Sequence, residues 1–231
     1  HHVPLTLEEA RQWAADGGSV IVLVEGFLGN GLGLPLQQRE HAERRSVLVP
    51  SGKTQAFVAI TFAAYNPGRC RNLDEDNLCR IYDRRPLVCR IYPMEINPHI
   101  PFNPAAKECP PESWEQGPVL IAGGELMDEE LAELIRRSRQ ADRDDVKTKE
   151  AVCTLLGIRT TALKGDGFTA YLPQMDAFAQ AIELAASQPC VANEWVFHVS
   201  GMDIAEQLLD AGAQLATEVP ANYAFIPLRT A

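Results

Sequence analysis

Apolar and polar positions alternate with two distinct periods along this chain, and the pattern predicts a mixture of strands and helices. Thr6-Leu-Glu-Glu9 is a capping box opening a helix. Leu7, Ala10 and Trp13 or Ala14 supply its apolar stripe, and Gly17-Gly18 ends it. The Val/Ile/Leu run of 19–25 reads as a buried strand. Residues 26–46, with Gly26, Gly29, Gly31 and Gly33, read as a long polar loop acting as a flexible insertion or lid. Segments 46–49 and 55–62 read as strands of a hairpin turning at Ser51-Gly-Lys-Thr54.

After the turn Tyr65-Asn-Pro-Gly68, no long periodic element is expected before Trp114, because Pro93, Pro98, Pro101, Pro104, Pro110 and Pro111 interrupt the chain. A helix is predicted over 128–141, with acids at its start and arginines at its end as the helix dipole favours. Another helix ends at Gly157, and Lys164-Gly-Asp-Gly167 suggests a hairpin. A helix over 174–187, a strand over 194–199, a helix over 203–211 and a strand over 223–228 follow. The expected fold class is α+β: a small mixed sheet with flanking helices and an irregular, metal-stapled segment rich in cysteine and proline. The expected division is a cysteine-cluster metal-binding domain at 1–115 and a C-terminal region of unknown role at 116–231.

Composition narrows the function. With 231 residues, 46% hydrophobic and 23% charged, the chain has the profile of a soluble globular protein. Its longest apolar runs, 20–24 and 57–64, are too short to span a bilayer. Net charge is 21 − 31 = −10, which disfavours general nucleic-acid binding. His1-His2 reads as the remainder of a purification tag, and no secretory signal is visible, so a reducing, cytoplasmic setting is expected. There, clustered thiols point to metal more than to disulfides.

Cys70, Cys79, Cys89 and Cys109 form such a cluster, spaced C-x8-C-x9-C-x19-C. Zinc ribbons bring ligands in C-x2-C knuckles, so here each thiolate must arrive from its own loop or element end. Cys79-Arg-Ile-Tyr82 is echoed by Cys89-Arg-Ile-Tyr92, which suggests two similar local turns presenting one thiolate each. Arg80, Arg84, Arg85 and Arg90 either offset the charge of a thiolate site or pair with Asp74, Glu75, Asp76 and Asp83. Tyr82 and Tyr92 read as packing residues shielding the site. Cys153 and Cys190 read as core cysteines, and His99 as a surface residue near the cluster. His41 and His198 show no partner pattern, and no Ser/His/Asp or Cys/His grouping supports nucleophilic catalysis. Ser51-Gly-Lys-Thr54 lacks the upstream glycine of a phosphate-binding loop.

The run from Cys70 through Cys79-Arg-Ile-Tyr-Asp-Arg-Arg-Pro-Leu-Val-Cys89-Arg-Ile-Tyr-Pro93, with Cys109-Pro110 beyond, resembles the YkgJ-type cysteine-cluster family, described as zinc- or iron-chelating, some members being called iron–sulfur proteins. The resemblance covers about residues 6–114. The family usually carries a further cysteine group upstream of a helix like that at Thr6; the sequence starts at that helix, so the group is absent, trimmed or not included. The resemblance implies a metal site at Cys70, Cys79, Cys89 and Cys109, holding an iron–sulfur cluster or Zn2+. Wide ligand spacing, flanking arginines and the family's naming tilt towards the cluster.

Three roles follow as expectations: a redox or enzymatic metal protein, an S-adenosylmethionine-dependent protein lysine methylase, or a structural metal site in a protein-interaction module. The methylase reading comes from related flagellin lysine N-methylases, with the Gly26–Gly33 stretch as the candidate donor loop. The protein partner or small-molecule substrate is left open.

Overall fold

The computed structural model describes residues 2–187, 193–217 and 222–228. In chain order its main elements begin with β1 (His2–Leu5), α1 (Leu7–Ala15), β2 (Ser19–Leu28), α2 (Arg39–Arg44), β3 (Val47–Ser51) and β4 (Thr54–Tyr65). Then come α3 (Leu87–Ile91), β5 (Ile121–Ala122), β6 (Glu125–Leu126), α4 (Glu129–Asp144) and α5 (Val146–Leu155). The chain continues through β7 (Thr160–Leu163), β8 (Gly167–Tyr171), α6 (Met175–Ser187), β9 (Val196–His198), α7 (Met202–Asp210) and β10 (Tyr223–Pro227). It divides into two compact units, residues 1–71 with 142–231, and residues 72–141. The fold class is α+β, as expected from the sequence.

The first unit is organised by a mixed eight-stranded sheet in the order β1-β4-β2-β7-β9, with β3 added to β4, β8 to β2 and β10 to β8. β2 pairs antiparallel with β4 along its whole length, from Ser19↔Tyr65 to Leu28↔Ala56. Its central position explains its composition, since a strand flanked on both edges and covered on both faces reads as a continuous apolar run. Val20, Val22 and Val24 are fully buried. Phe178 of α6 meets Phe62 of β4 edge to face at 5.1 Å, joining helix layer to sheet.

The capping box forms: the Glu9 N–H donates to Thr6 Oγ1 at 3.2 Å, and the Thr6 N–H to Glu9 Oε2 at 2.9 Å. A third donor of that helix end, the Leu7 N–H, reaches Asp145 Oδ2 at 2.8 Å. The Ser51–Thr54 turn also forms as read, with Ser51 opposite Thr54 and Gly52 at φ +58.

Residues 26–46 are not a loop. Gly26 lies inside β2, where an added Cβ would stand 3.0 Å from Thr161 Oγ1 and 3.2 Å from the Phe197 ring. That glycine serves close approach within the sheet rather than a flexible lid. Beyond it, Phe27, Leu34 and Ala42 bury together, and Phe27 stacks on Phe57 at 5.1 Å. These contacts pin a tight turn and the short helix α2. Of the Gly26–Gly33 stretch expected to offer a methyl-donor loop, Gly26–Leu28 is therefore strand and the rest a tight turn.

The region around Lys164-Gly-Asp-Gly167 turns as expected, but its two strands are not a paired hairpin. β4 takes one edge of β2, and β7 and β8 share the other: β8 antiparallel at Val22–Val24, β7 parallel at Glu25 and Gly26. Side chains bridge the two strands instead. Thr169 Oγ1 and Tyr171 Oη each donate to the Thr160 carbonyl at 2.8 Å.

Residues 72–141 hold little regular structure. A small core of Leu87, Ile91, Leu134 and Ile135 joins α3 to α4, with Met94, Ile96, Leu126 and Leu131 packed around it. Prolines work here as starters of short turns: Pro104 and Pro111 open 3-10 segments at Pro104–Ala106 and Pro111–Trp114. Among the described residues no helix is long and apolar enough to cross a membrane.

Candidate metal centre

Each cysteine of the cluster is carried by a different kind of local structure. Cys70 follows β4 and belongs to the first unit. Next to it, the Arg71 N–H donates to Oδ1 of the buried Asn66 at 3.1 Å, bending the chain out of the strand.

Cys79 closes a loop organised by Asp74. Asp74 Oδ1 accepts from the N–H groups of Asp76 (3.0 Å) and Leu78 (2.8 Å), while Asn77 adopts φ +63. Asp and Asn suit this geometry because short polar side chains bond their own backbone and tolerate the left-handed region. The loop ends in a bridge pairing Leu73 with Cys79 and an Arg80 N–H bond to the Asn72 carbonyl at 2.8 Å.

Cys89 sits mid-way along α3. Leu87 and Ile91, four positions apart, face the small core, so Cys89 between them turns to the opposite side and is half-buried. Cys109 is held by Tyr92, whose phenolic oxygen accepts from the Glu108 N–H at 3.2 Å and from the Cys109 thiol at 3.6 Å. Lys107 places its ammonium 5.8 Å from the centre of the same ring and pairs with Glu95.

The repeated C-R-I-Y words therefore adopt two geometries rather than one. The first runs from the Cys79 bridge into a 3-10 turn at Tyr82–Arg84, and the second lies in α3. Their tyrosines diverge accordingly. Tyr82 carries the Arg85 guanidinium over its ring at 3.7 Å, whereas Tyr92 clasps Cys109. Arg85 also donates to the Tyr82 carbonyl at 3.0 Å, and Arg90 lies 3.4 Å from Glu130. Both line a shallow cavity of about 420 Å³ with Asp83 and Asp128. These two arginines thus have partners among nearby rings and carboxylates.

Cys70, Cys79, Cys89 and Cys109 are all half-buried, and none is joined in a disulfide. Cys153 is fully buried in α5, and burial pushes its thiol well above the ordinary cysteine range, which fits an inert core residue. Cys190 lies outside the described residues. His99 is exposed in the proline-rich stretch, its own N–H donating to Asn97 Oδ1 at 3.0 Å. Among the described residues no three His, Cys, Asp or Glu side chains converge as the ligand shell of a metal ion. The donor set nevertheless fits a thiophilic metal by its chemistry, since it offers four reduced, partly accessible sulfurs.

The sequence between Leu34 and Pro110 matches a family model, CxxCxxCC, described as "Putative zinc- or iron-chelating domain". Residues 34–110 match the YkgJ-type family. The matched segment is about a third of the chain and contains all four clustered cysteines. It begins at Leu34, later than the resemblance from Thr6, and the chain contains no C-x2-C pair of the kind the family's label spells out. No curated protein and no solved structure matches the chain. The role of Tyr92 was not legible from the sequence. A tyrosine three residues after each of two cysteines hinted at a shared task, but only the fold separates one from the other.

Proposed function

We propose that this is a metal-binding protein whose centre is held by the thiolates of Cys70, Cys79, Cys89 and Cys109. The observation that carries the reading is the confinement of four cysteines, none joined in a disulfide, to the segment matched by the zinc- or iron-chelating domain model. Four sulfur donors satisfy either a tetrahedral zinc ion or an iron–sulfur cluster. Ligands spread over a strand exit, an Asx-turn loop, a helix and a proline-rich stretch favour the wider iron–sulfur cluster, which gathers donors from separate places. The flanking arginines add less than their sequence positions suggest, because Arg85 and Arg90 already have other partners.

A second reading is a structural zinc ion. It is supported by the small core of residues 72–141, because a segment with few buried apolar side chains gains much of its order from a bound metal. Methyl transfer is not carried forward: Gly26–Leu28 of its candidate stretch belongs to strand β2 and the remainder, 29–33, is a tight turn.

Anaerobic purification of the full chain followed by elemental analysis and visible spectroscopy tests both readings. Iron with matching sulfide and a brown colour supports the cluster, whereas one zinc per chain and no colour supports the staple. A chain that retains neither metal after reconstitution refutes the proposal.

A further inference from the structure

Tyr92 occupies a position that neither metal reading requires of it. It follows Cys89 by three residues at the end of α3, and its hydroxyl accepts from two consecutive groups of a distant stretch, the Glu108 N–H at 3.2 Å and the Cys109 thiol at 3.6 Å. The stretch around Cys109 contains Pro104, Pro110 and Pro111 and has no strand pairing of its own. What ties it to α3 is therefore side-chain chemistry: this two-donor clasp, the Lys107 ammonium 5.8 Å from the Tyr92 ring, and the Lys107–Glu95 ion pair. The ring is about half exposed at 48%, so it contributes little as core. Tyr82, the equivalent residue of the first C-R-I-Y word, holds Arg85 rather than a cysteine loop.

We infer that Tyr92 is the positioning residue for Cys109, fixing the last cysteine of the cluster relative to the helix that carries Cys89. The inference rests on the proposed metal site for its purpose, but the clasp itself can be tested apart from any metal. The lone hydroxyl is what distinguishes positioning from packing, because phenylalanine keeps the ring and loses the acceptor.

The test compares the full-length wild type with Tyr92→Phe, in the form purified from cells, by timed alkylation with iodoacetamide and peptide mass spectrometry. Cys109 is expected to react about three- to tenfold faster in the variant, the factor that one ordinary hydrogen bond is worth. The core residue Cys153 is expected to keep its wild-type rate. Where wild type contains zinc, Tyr92→Phe is also expected to release it to a chromophoric chelator faster by a similar factor. An unchanged Cys109 rate overturns the inference. So does an equal rise at Cys153, which shows the hydroxyl acting on the whole fold. If wild type holds no metal but Cys109 still reacts faster in the variant, the clasp stands and the metal proposal falls.

Discussion

Leu87, Ile91, Leu134 and Ile135 are the buried apolar side chains of residues 72–141, whereas β2 alone buries Val20, Ile21, Val22, Val24, Phe27 and Leu28 in the other unit. The contrast extends to polar groups. In the sheet unit backbone bonds run in long ladders, with β2 and β4 paired over ten residues each. In residues 72–141 the work falls to local devices: the Asp74 turn, the Arg85–Tyr82 stack and the Tyr92 clasp. One region stores its stability in area removed from water, which is non-directional. The other depends on a few directional contacts, and on the proposed reading a metal adds the missing cohesion.

The sharpest break in that comparison is removal of the metal. Cys79→Ser or Cys89→Ser is expected to reduce metal content from about one centre per chain to background, with loss of solubility, while Cys153→Ala keeps full occupancy. Elemental analysis decides this, and equal metal in all three variants ends the ligand assignment. Amide exchange after chelation should show protection lost around α3 and retained in β2 and β4.

Next in size is the sheet core. Phe62→Ala removes the ring packed against Phe178 and should cost about 3–5 kcal/mol in urea unfolding. Leu87→Ala, in the smaller core of the other unit, should cost about 2 kcal/mol. Reversed magnitudes would contradict the account of where stability resides. Thr6→Ala breaks the capping box and should cost about 1 kcal/mol, with Thr6→Ser restoring most of it.

The smallest expected effect concerns Glu150. Burial raises its carboxyl pKa, with the Thr154 hydroxyl bond partly opposing the shift. The folded form then binds the proton more tightly than the unfolded chain, so this group's contribution to stability falls as pH rises from the unfolded pKa through the folded one. Glu150→Gln should raise Tm slightly near neutral pH and leave it unchanged well below the ordinary carboxylate range. A Tm increase of the same size at both pH values would assign the effect to packing instead.

Much of the sheet unit could be read before its structure was known. The Thr6–Glu9 box, the β2 run, the Ser51–Thr54 turn and the helices over 175–187 and 202–210 carry strong local signals, as does the helix over 129–144, most of which belongs to the other unit. β1 was not anticipated, because its pairing with β4 is set across sixty residues and Pro4 argues against a strand. Gly26 was misread as loop, because a glycine that permits close approach to Thr161 and Phe197 looks the same in sequence as one that permits a turn. β7 and β8 looked like a hairpin because the turn is local, while their preference for β2 over each other is not.

The sequence by itself determined where helices begin, which strands are buried on both faces, and which sulfurs are candidates for a metal, since capping, periodicity and residue chemistry act over a few positions. The tertiary structure alone decided that two identical four-residue words take different shapes, with Arg85 drawn to one tyrosine and Cys109 to the other. Contacts between residues distant in sequence select among conformations that the local chain leaves nearly equal in energy.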